Sequence, residues 1–311
     1  MTEDEQTNLR ERARRHLDVA GLSQAAFSRQ SGISSSTFSA WLNGTYKGDN
    51  AAVAGDVRTY LDAQAQRAQM ILPEKLGYVS TPSSKKILTA LETAQWLPEM
   101  VVVAAGPGVG KTTTARNYRD THPNTFMITA SPALTKARHV LEALAEVLGL
   151  TETTPRRIAR AIETRLKDTG ALLIVDEAQF LAAGGVEQLR SLYDQANVGV
   201  AMMGNEEVWS KIDGGGRKAL FAQVHSRVGV KVRLARPATG DIDAILDAVG
   251  VVDTAQRALL HQIANKPGAL RGLEKVLRIA RMVANGAGVE MTREHIMAAW
   301  QRFAGTKEIE A

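Results

Sequence analysis

The pattern of apolar and polar positions divides the chain into three stretches. From about residue 5 to 66, apolar residues recur at helical spacing, which predicts an all-helical segment. From about residue 86, short continuous apolar runs such as MVVVAA, TFMITA, ALLIVD and VGVAMMG alternate with amphipathic stretches. This alternation is typical of a parallel sheet with helices on both faces. After Pro237 only helical patterns follow, which predicts a small helical domain.

These changes of pattern predict four parts of the chain. They are a helical N-terminal domain (1–66), a linker (67–85), an α/β core (86–235) and a helical lid or C-terminal domain (236–311). The linker is indicated by residue types that interrupt regular structure, at Pro73, Gly77 and Pro82.

The composition narrows the class of protein. Hydrophobic residues make up 44% of the chain and charged residues 23%, as in an average globular protein. No apolar run is long enough to span a bilayer, and the N-terminus lacks the apolar core of a secretory signal. The absence of cysteine excludes disulfides, thiolate nucleophiles and cysteine-type zinc sites. We therefore expect a cytoplasmic protein without a membrane partner.

Residues 105–112, AGPGVGKT, follow an apolar strand and open a helix, which is the context that a phosphate-binding loop requires. Its glycines let backbone N–H groups turn towards phosphates, and the helix N-terminus adds its positive dipole end. Lys111 is placed to reach the β- and γ-phosphates, and Thr112 to ligate Mg²⁺. The strict pattern has glycine in place of Ala105, so we expect a slightly shifted turn. The predicted nucleotide contacts are Gly106, Pro107, Gly108, Val109, Gly110, Lys111, Thr112 and Thr113.

Two carboxylates end the third apolar strand, LLIV, at Asp176 and Glu177. Ligand sites in open α/β sheets lie at this end of the strands. We expect Asp176 to hold Mg²⁺ and Glu177 to act as the general base on the attacking water. Asn205 follows the next strand, where its amide can orient the water and sense the γ-phosphate, or where it is simply a turn residue. The pattern predicts ATP and Mg²⁺ as cofactors.

The phosphate loop, the Asp-Glu strand, Asn205 and the helical lid together resemble an AAA+ ATPase over residues 86–302. The resemblance implies two further arginines. Arg227, before the strand VGVKV, fits the arginine that completes a neighbouring subunit's site, with Arg217 as the second candidate. Arg271, in GALR at a helix start, fits the lid arginine that contacts the γ-phosphate. Each of them can instead be an ordinary surface arginine.

Residues 24–42 resemble a repressor-type helix-turn-helix, with Ser28 at a close helix contact and Gly32 at the turn. The resemblance would present Ser35, Ser36 and Thr37 to a DNA groove. None of these side chains can read a base through two hydrogen bonds as Arg or Asn does. Residues 1–60 also carry seven basic and seven acidic residues. We therefore expect no sequence-specific reading, and protein contact or assembly is the alternative role.

Basic clusters elsewhere are better suited to phosphate contact. Arg156, Arg157 and Arg160 lie at the start of a helix that Thr154 and Pro155 are expected to begin. Arginine at a helix N-terminus opposes the helix dipole, and an anionic partner would offset that cost. Alternative contacts are Lys136 and Arg138, or the lid stripe Arg271, Lys275, Arg278 and Arg281. A solvated helix face is the other interpretation of each cluster.

The net charge of +5 permits a nucleic-acid partner. Only 5% of the residues are aromatic, which favours contact with the backbone of a duplex over stacking on single-stranded bases.

The whole arrangement resembles the B proteins of Mu-like transposing bacteriophages. The resemblance rests on AWLNGTYKGDN after the helix-turn-helix, GPGVGKT in the loop, MGN at a strand end and KPGALR in the lid. It implies an ATPase that assembles as a helical oligomer on double-stranded DNA with little sequence preference, captures target DNA and activates a transposase. Two alternatives stay open: a helper ATPase of an insertion sequence or a helicase loader, and a regulatory ATPase whose N-terminal domain reads an operator.

Overall fold

The structure is a computed structural model, and it describes residues 3–69, 76–213 and 224–304. Within these residues the chain divides into two compact units. The first contains residues 3–69 and 285–288, and the second contains residues 76–213, 224–284 and 289–304. The linker residues 70–75, with Pro73, lie outside the described part of the chain.

The first unit consists of helices. They are α1 (Glu3–Ala20), α2 (Gln24–Ser31), α3 (Ser35–Leu42) and α4 (Asn50–Gln69). Between α2 and α3, Gly32 has a φ of 77°, which glycine adopts without steric cost. The hydroxyls of Ser23 and Ser34 accept backbone N–H groups at the starts of α2 and α3. The buried rings of Phe27 and Phe38 stack with centroids 4.2 Å apart. The predicted helical N-terminal segment is confirmed.

The second unit is built on a parallel sheet of five strands in the order β2-β3-β4-β1-β5. The strands are β1 (Met100–Ala105), β2 (Thr125–Thr129), β3 (Leu172–Asp176), β4 (Gly199–Gly204) and β5 (Val228–Leu234). Every residue of β1, β3 and β4 is buried, which is why these strands are continuous apolar runs in the sequence. The carboxyl end of β4 lies between those of β1 and β3, so all three ends meet at one edge.

Helices cover both faces of this sheet. They are α5 (Pro82–Trp96), α6 (Lys111–Thr121), α7 (Ala137–Leu148), α8 (Pro155–Leu166), α9 (Ala183–Ala196) and the short α10 (Glu206–Asp213). Successive strand residues point to opposite faces, so Val102 packs in the cluster formed with α7, α8 and α9, while Val103 packs with α5 and α6. The predicted α/β core, a parallel sheet between two helical layers, is confirmed.

Four further helices form the lid: α11 (Thr239–Ala248), α12 (Thr254–Ala264), α13 (Ala269–Gly286) and α14 (Arg293–Ala304). They share a core of their own around Leu260, Leu273 and Trp300. The lid is also joined to the start of α5. Asp241 is fully buried and accepts hydrogen bonds from Ser83, through the N–H at 2.7 Å and the hydroxyl at 2.5 Å. It also accepts the Ala238 N–H at 2.7 Å.

Two local features differ from the sequence pattern. Helix α5 begins at Pro82, inside the segment assigned to the linker, because the Thr81 hydroxyl accepts the Ser84 N–H and the Ser84 hydroxyl accepts the Thr81 N–H. Helix α10 has no counterpart in the sequence analysis. It begins where the Asn205 side chain accepts the N–H of Glu207 at 2.9 Å. No helix in the described ranges is both long and apolar enough to cross a membrane.

Candidate functional site

The loop between β1 and α6 depends on its glycines. The Gly106 N–H donates to the carbonyl of Leu234 at 2.8 Å, and a Cβ on Gly106 would collide with the carbonyl oxygen of Ala235. Gly108 and Gly110 have φ values of 78° and 98°, which side chains with a Cβ rarely adopt. The loop therefore takes the conformation in which backbone N–H groups can surround an anion.

Ala105 fits its position in spite of the departure from the strict loop pattern. It is the last residue of β1, fully buried, and pairs in register with Leu234 of β5. Extended strand backbone is open to alanine. The first loop residue with a positive φ is Gly108, so the conformation that requires glycine lies beyond Ala105.

Lys111, the first residue of α6, is only 9% exposed. Its ammonium group donates to the carbonyl oxygens of Ala105 at 2.7 Å and Gly106 at 3.2 Å. Burial lowers the pKa of Lys111, while the carboxylates of Glu177 and then Asp176 act to raise it. The site therefore holds a buried cation beside the N-terminus of a helix, an arrangement that favours a polyanion.

Thr112, near the start of α6, is hydrogen-bonded to Asp176, the last residue of β3. The Thr112 hydroxyl donates to one carboxylate oxygen of Asp176 at 2.7 Å, and the other oxygen accepts the Glu177 N–H at 3.0 Å. Hydroxyl and carboxylate oxygens are ligands that suit Mg²⁺, which is usually held by few protein groups together with phosphates. The residues present fit a Mg²⁺ ion held by Thr112 and Asp176.

Glu177 lies in the left-handed region with a φ of 54°, which is uncommon for a residue other than glycine. Its carboxylate accepts a hydrogen bond from the side-chain amide of Gln179, in the 3₁₀ turn Ala178–Phe180 that follows. The amide oxygen of Gln179 accepts the Asn205 N–H at 3.4 Å. Nothing in the sequence pattern indicates Gln179, because a glutamine shortly after a carboxylate pair carries no recognisable signal by itself.

Arg271 comes to the phosphate loop from the lid. The Leu270 N–H donates to the Gly108 carbonyl at 3.2 Å, so the start of α13 lies directly on the loop. Any Cβ on Gly108 would collide with the carbonyl oxygen of Gly268. Arg271 and Lys111 line the same cavity, and the charge of Arg271 acts to lower the pKa of Lys111, after the larger effect of burial.

These groups surround a cavity of about 410 Å³. It is lined by Glu177 and Asn205, by Arg271 and, in the loop, by Pro107, Gly108, Val109, Gly110, Lys111, Thr112 and Thr113. Another part of its wall is largely apolar and consists of Leu76, Tyr78, Val79, Ile245 and Leu270. Such a wall suits a nucleobase. Residues 76–81 were assigned to the linker, so this part of the site was missed in the sequence.

Arg227 does not line the cavity. It lies just before β5 and forms an ion pair with Asp194 of α9 at 2.8 Å, with its side chain 34% exposed. Its assignment as the arginine for a neighbouring subunit stays a prediction. The second candidate, Arg217, lies outside the described residues.

The basic clusters differ in whether their charged side chains are exposed or paired with other groups. Arg156, Arg157 and Arg160 are exposed on α8, whose opposite side buries Ile158 and Ile162. Pro155 is the first residue of α8, and Thr154 precedes it without a side-chain capping bond. On α7, Arg138 pairs with Glu142 at 2.7 Å, while Lys136 is exposed just before the helix.

Two lid cations take part in packing. The Arg281 guanidinium donates to the carbonyl of Val249, and the Lys275 ammonium lies 5.4 Å from the centre of the Phe303 ring. In the first unit, Ser35 and Ser36 are exposed at the start of α3, and Thr37 is bonded to Ser34. The α8 arginines are therefore the more open of the basic clusters.

A parallel sheet with a phosphate loop on β1, an acidic pair at the end of β3 and an arginine-bearing helical lid defines an ATPase of the AAA+ class. A family profile described as "AAA domain" matches residues 97–212. The chain belongs to the Mu B family of transposition proteins, as the sequence analysis expected. The profile described as "Mu B transposition protein, C terminal" matches residues 226–303.

Two relatives support this membership. The chain is 36% identical over 276 residues to the ATP-dependent target DNA activator B of Escherichia phage Mu, covering 88% of each protein. It is 31% identical over 263 residues to the Mu-like prophage FluMu DNA transposition protein B of Haemophilus influenzae, covering 83% of this chain and 91% of the relative.

Among solved structures, the ORC2 protein of Aeropyrum pernix superposes with a TM-score of 0.55 at 13% identity. The match covers 78% of this chain and 73% of that protein. At this identity the likeness concerns the fold alone.

Proposed function

We propose that the protein is an ATP-dependent activator of target DNA in transposition. It binds and hydrolyses ATP, binds duplex DNA with little regard to sequence, oligomerises on that DNA and activates a transposase. The phage Mu relative is named an ATP-dependent target DNA activator, which supports the target-DNA role, and the Haemophilus relative is named a DNA transposition protein. The single observation that carries the ATPase part is that Lys111, Thr112 and Glu177 line one cavity with Arg271, while the Thr112 hydroxyl binds Asp176.

ATP enters the cavity with its phosphates on the loop and its base against the apolar wall near Tyr78. Backbone N–H groups of the loop and the ammonium of Lys111 bind the phosphates. Thr112 and Asp176 would hold a Mg²⁺ ion, which would neutralise part of the phosphate charge when bound. Glu177 takes the proton of the attacking water, and Asn205 lies at the same end of the cavity to orient that water.

ATP also joins the lid to the core. Arg271 belongs to the lid, whereas Lys111 belongs to the core, and a triphosphate between them attracts both. A second subunit completes the site through its own Arg227. The guanidinium of that Arg227 leaves Asp194 of its own chain and binds the phosphates of the ATP held by the neighbouring subunit. In this way the nucleotide favours the oligomer.

Duplex DNA lies on the arginines of α8. Three exposed guanidinium groups within two helical turns suit the phosphates of a backbone, which carry no sequence information. Lys136 and Arg138 are further candidate phosphate contacts near the start of α7. In the first unit, considered by itself, Ser35, Ser36 and Thr37 would offer only neutral contacts to DNA. Because one relative comes from a bacteriophage and another from a prophage, we propose that the protein acts in the cytoplasm of a bacterial host cell.

The test of this function is the affinity for a duplex of random sequence, measured by fluorescence anisotropy with ATP, with ADP and without nucleotide. We expect ATP to tighten binding by about 5- to 150-fold, the usual range of coupling between two sites. Equal affinity in all three conditions would contradict the proposal.

Replacing Arg156, Arg157 and Arg160 together with alanine should weaken binding to every duplex about equally. Each phosphate contact that is lost lowers the slope of log K against log salt by about 0.9. ATP binding should be unchanged, because none of the three lines the cavity. A salt titration measures the slope.

The matched control removes Arg165 and Lys167, exposed cations at the other end of the same helix. We expect this variant to keep the wild-type slope. If the triple variant also keeps the wild-type slope and affinity, DNA is bound by another surface.

A further inference from the structure

The side-chain amide of Gln179 has a partner on each side. Gln179 is 8% exposed; its amide nitrogen donates to the carboxylate of Glu177, and its amide oxygen accepts the Asn205 N–H at 3.4 Å. An ionised carboxylate only accepts and a backbone N–H only donates, so this orientation is the one that satisfies both partners. The amide thus links the end of β3 to the end of β4.

Strand β4 leaves room for this amide. A Cβ on Gly204, the last residue of β4, would collide with the amide oxygen of Gln179 and with the side chain of Val208. Gly204 does not have a positive φ, so its backbone conformation does not require glycine. Glycine is required here because the side chains of Gln179 and Val208 occupy the space that a Cβ would need. The Lys211 ammonium also binds the backbone carbonyls of Gln179 and Leu181, which holds the turn from the other side.

The Glu177 carboxylate, to which Gln179 donates a hydrogen bond, belongs to a residue that lines the nucleotide cavity. Glu177, Gln179 and Asn205 all line this cavity together with Lys111. The held carboxylate therefore lines the same cavity as the ammonium group that we assign to the terminal phosphates.

We infer that Gln179 is a positioning residue for ATP hydrolysis, which fixes one carboxylate oxygen of Glu177 so that the other can take the proton of the attacking water. The inference rests on the proposed ATPase function. In the step itself, the water oxygen bonds to the γ-phosphorus and the water proton moves to Glu177. The bond from that phosphorus to the bridging oxygen breaks, and ADP retains the electron pair. Gln179 touches none of the reacting atoms and acts through Glu177.

The first test is Gln179→Met, which keeps the length of the side chain and removes both hydrogen bonds. We expect kcat to fall by about 10- to 100-fold, since a misplacement of about 1 Å costs up to that factor. The KM and the Kd for ATP should be unchanged, because the loop and Lys111 are untouched. Steady-state phosphate release gives kcat and KM, and calorimetric titration gives the Kd.

The matched control is Gln95→Met. Gln95 is also 8% exposed, and its amide binds the carbonyls of Pro123 and Gly170 and the Tyr118 hydroxyl, away from the cavity. This variant should lose thermal stability through its unsatisfied partners and keep the wild-type kcat. A fall in kcat in both variants would show a general structural effect and would overturn the inference.

A double variant shows whether Gln179 acts on hydrolysis through Glu177 or independently of it. In the Glu177→Gln background, Gln179→Met should cause no further loss of the residual hydrolysis, because the group that it positions is already gone. A further loss by the same factor as in the wild type would overturn the inference, and so would a wild-type or raised kcat in Gln179→Met alone.

If Gln179→Met does not bind ATP, Gln179→Glu replaces it. That variant keeps the shape and the acceptor for Asn205 but has no hydrogen to donate to Glu177 when ionised, so the same fall in kcat is expected. A wild-type kcat would again overturn the inference. Failure of the proposed function is distinct from all of these results, because the wild-type protein would then hydrolyse no ATP.

Discussion

Lys111→Ala should abolish ATP binding and, with it, the ATP-dependent part of duplex binding. Lys111 is the buried cation of the phosphate loop, and its ammonium donates to the carbonyls of Ala105 and Gly106. Two hydrogen bonds to phosphate at about 1.5–3 kcal/mol each correspond to a loss of roughly 100-fold or more in affinity. Calorimetric titration with ATP measures the first effect, and anisotropy of a labelled duplex measures the second.

The control for this prediction is Lys167→Ala, which removes an exposed lysine from the end of α8. It should bind ATP like the wild type. A thermal melt of Lys111→Ala shows whether the fold survives, as we expect for a change that removes a poorly solvated charge. Unchanged ATP affinity in a folded Lys111→Ala protein would contradict the assignment of the site.

Glu177→Gln should keep ATP binding and nearly stop hydrolysis. The amide has the shape of the carboxylate but cannot take a proton from water, and a general base contributes about 10²- to 10⁴-fold to a rate. Because ATP then persists in the site, the complexes with DNA should dissociate more slowly. Phosphate release measures turnover, and the dissociation rate of labelled DNA measures the lifetime.

The matched control is Glu146→Gln, at an exposed position on α7. It should hydrolyse ATP at the wild-type rate. If Glu177→Gln also keeps the wild-type rate, another group is the base, and the role that we infer for Gln179 fails with it.

Much of the α/β core could be predicted because its strands are buried on both faces. The runs MVVVAA, LLIVD and VGVAMMG have no polar face, so their hydrophobic pattern alone identifies them as central strands. The loop and the acidic pair were equally readable, since phosphate binding requires glycines and a lysine at fixed spacing. The structure brings Lys111, Thr112 and Asp176 together as the sequence indicated.

Features that depend on contacts between distant residues could not be predicted in this way. Residues 76–81 have the composition of a loop, and only their packing against the lid core and the cavity gives them a role. One partner of the Gln179 amide is the N–H of Asn205, which follows β4 and is remote from Gln179 in the sequence. The ion pair of Arg227 with Asp194 also joins two residues that are remote in the sequence. The start of helix α10 depends on the side chain of Asn205, which accepts the Glu207 N–H.

Electron microscopy of the protein on a long linear duplex, with ATP and without nucleotide, tests the central claim most directly. The claim is that ATP in the cavity drives assembly of many copies on DNA. We predict continuous protein along the duplex with ATP, bare DNA without nucleotide, and bare DNA in both conditions for Lys111→Ala. Equal coverage of the duplex with and without ATP, or bare DNA in both, would contradict the claim.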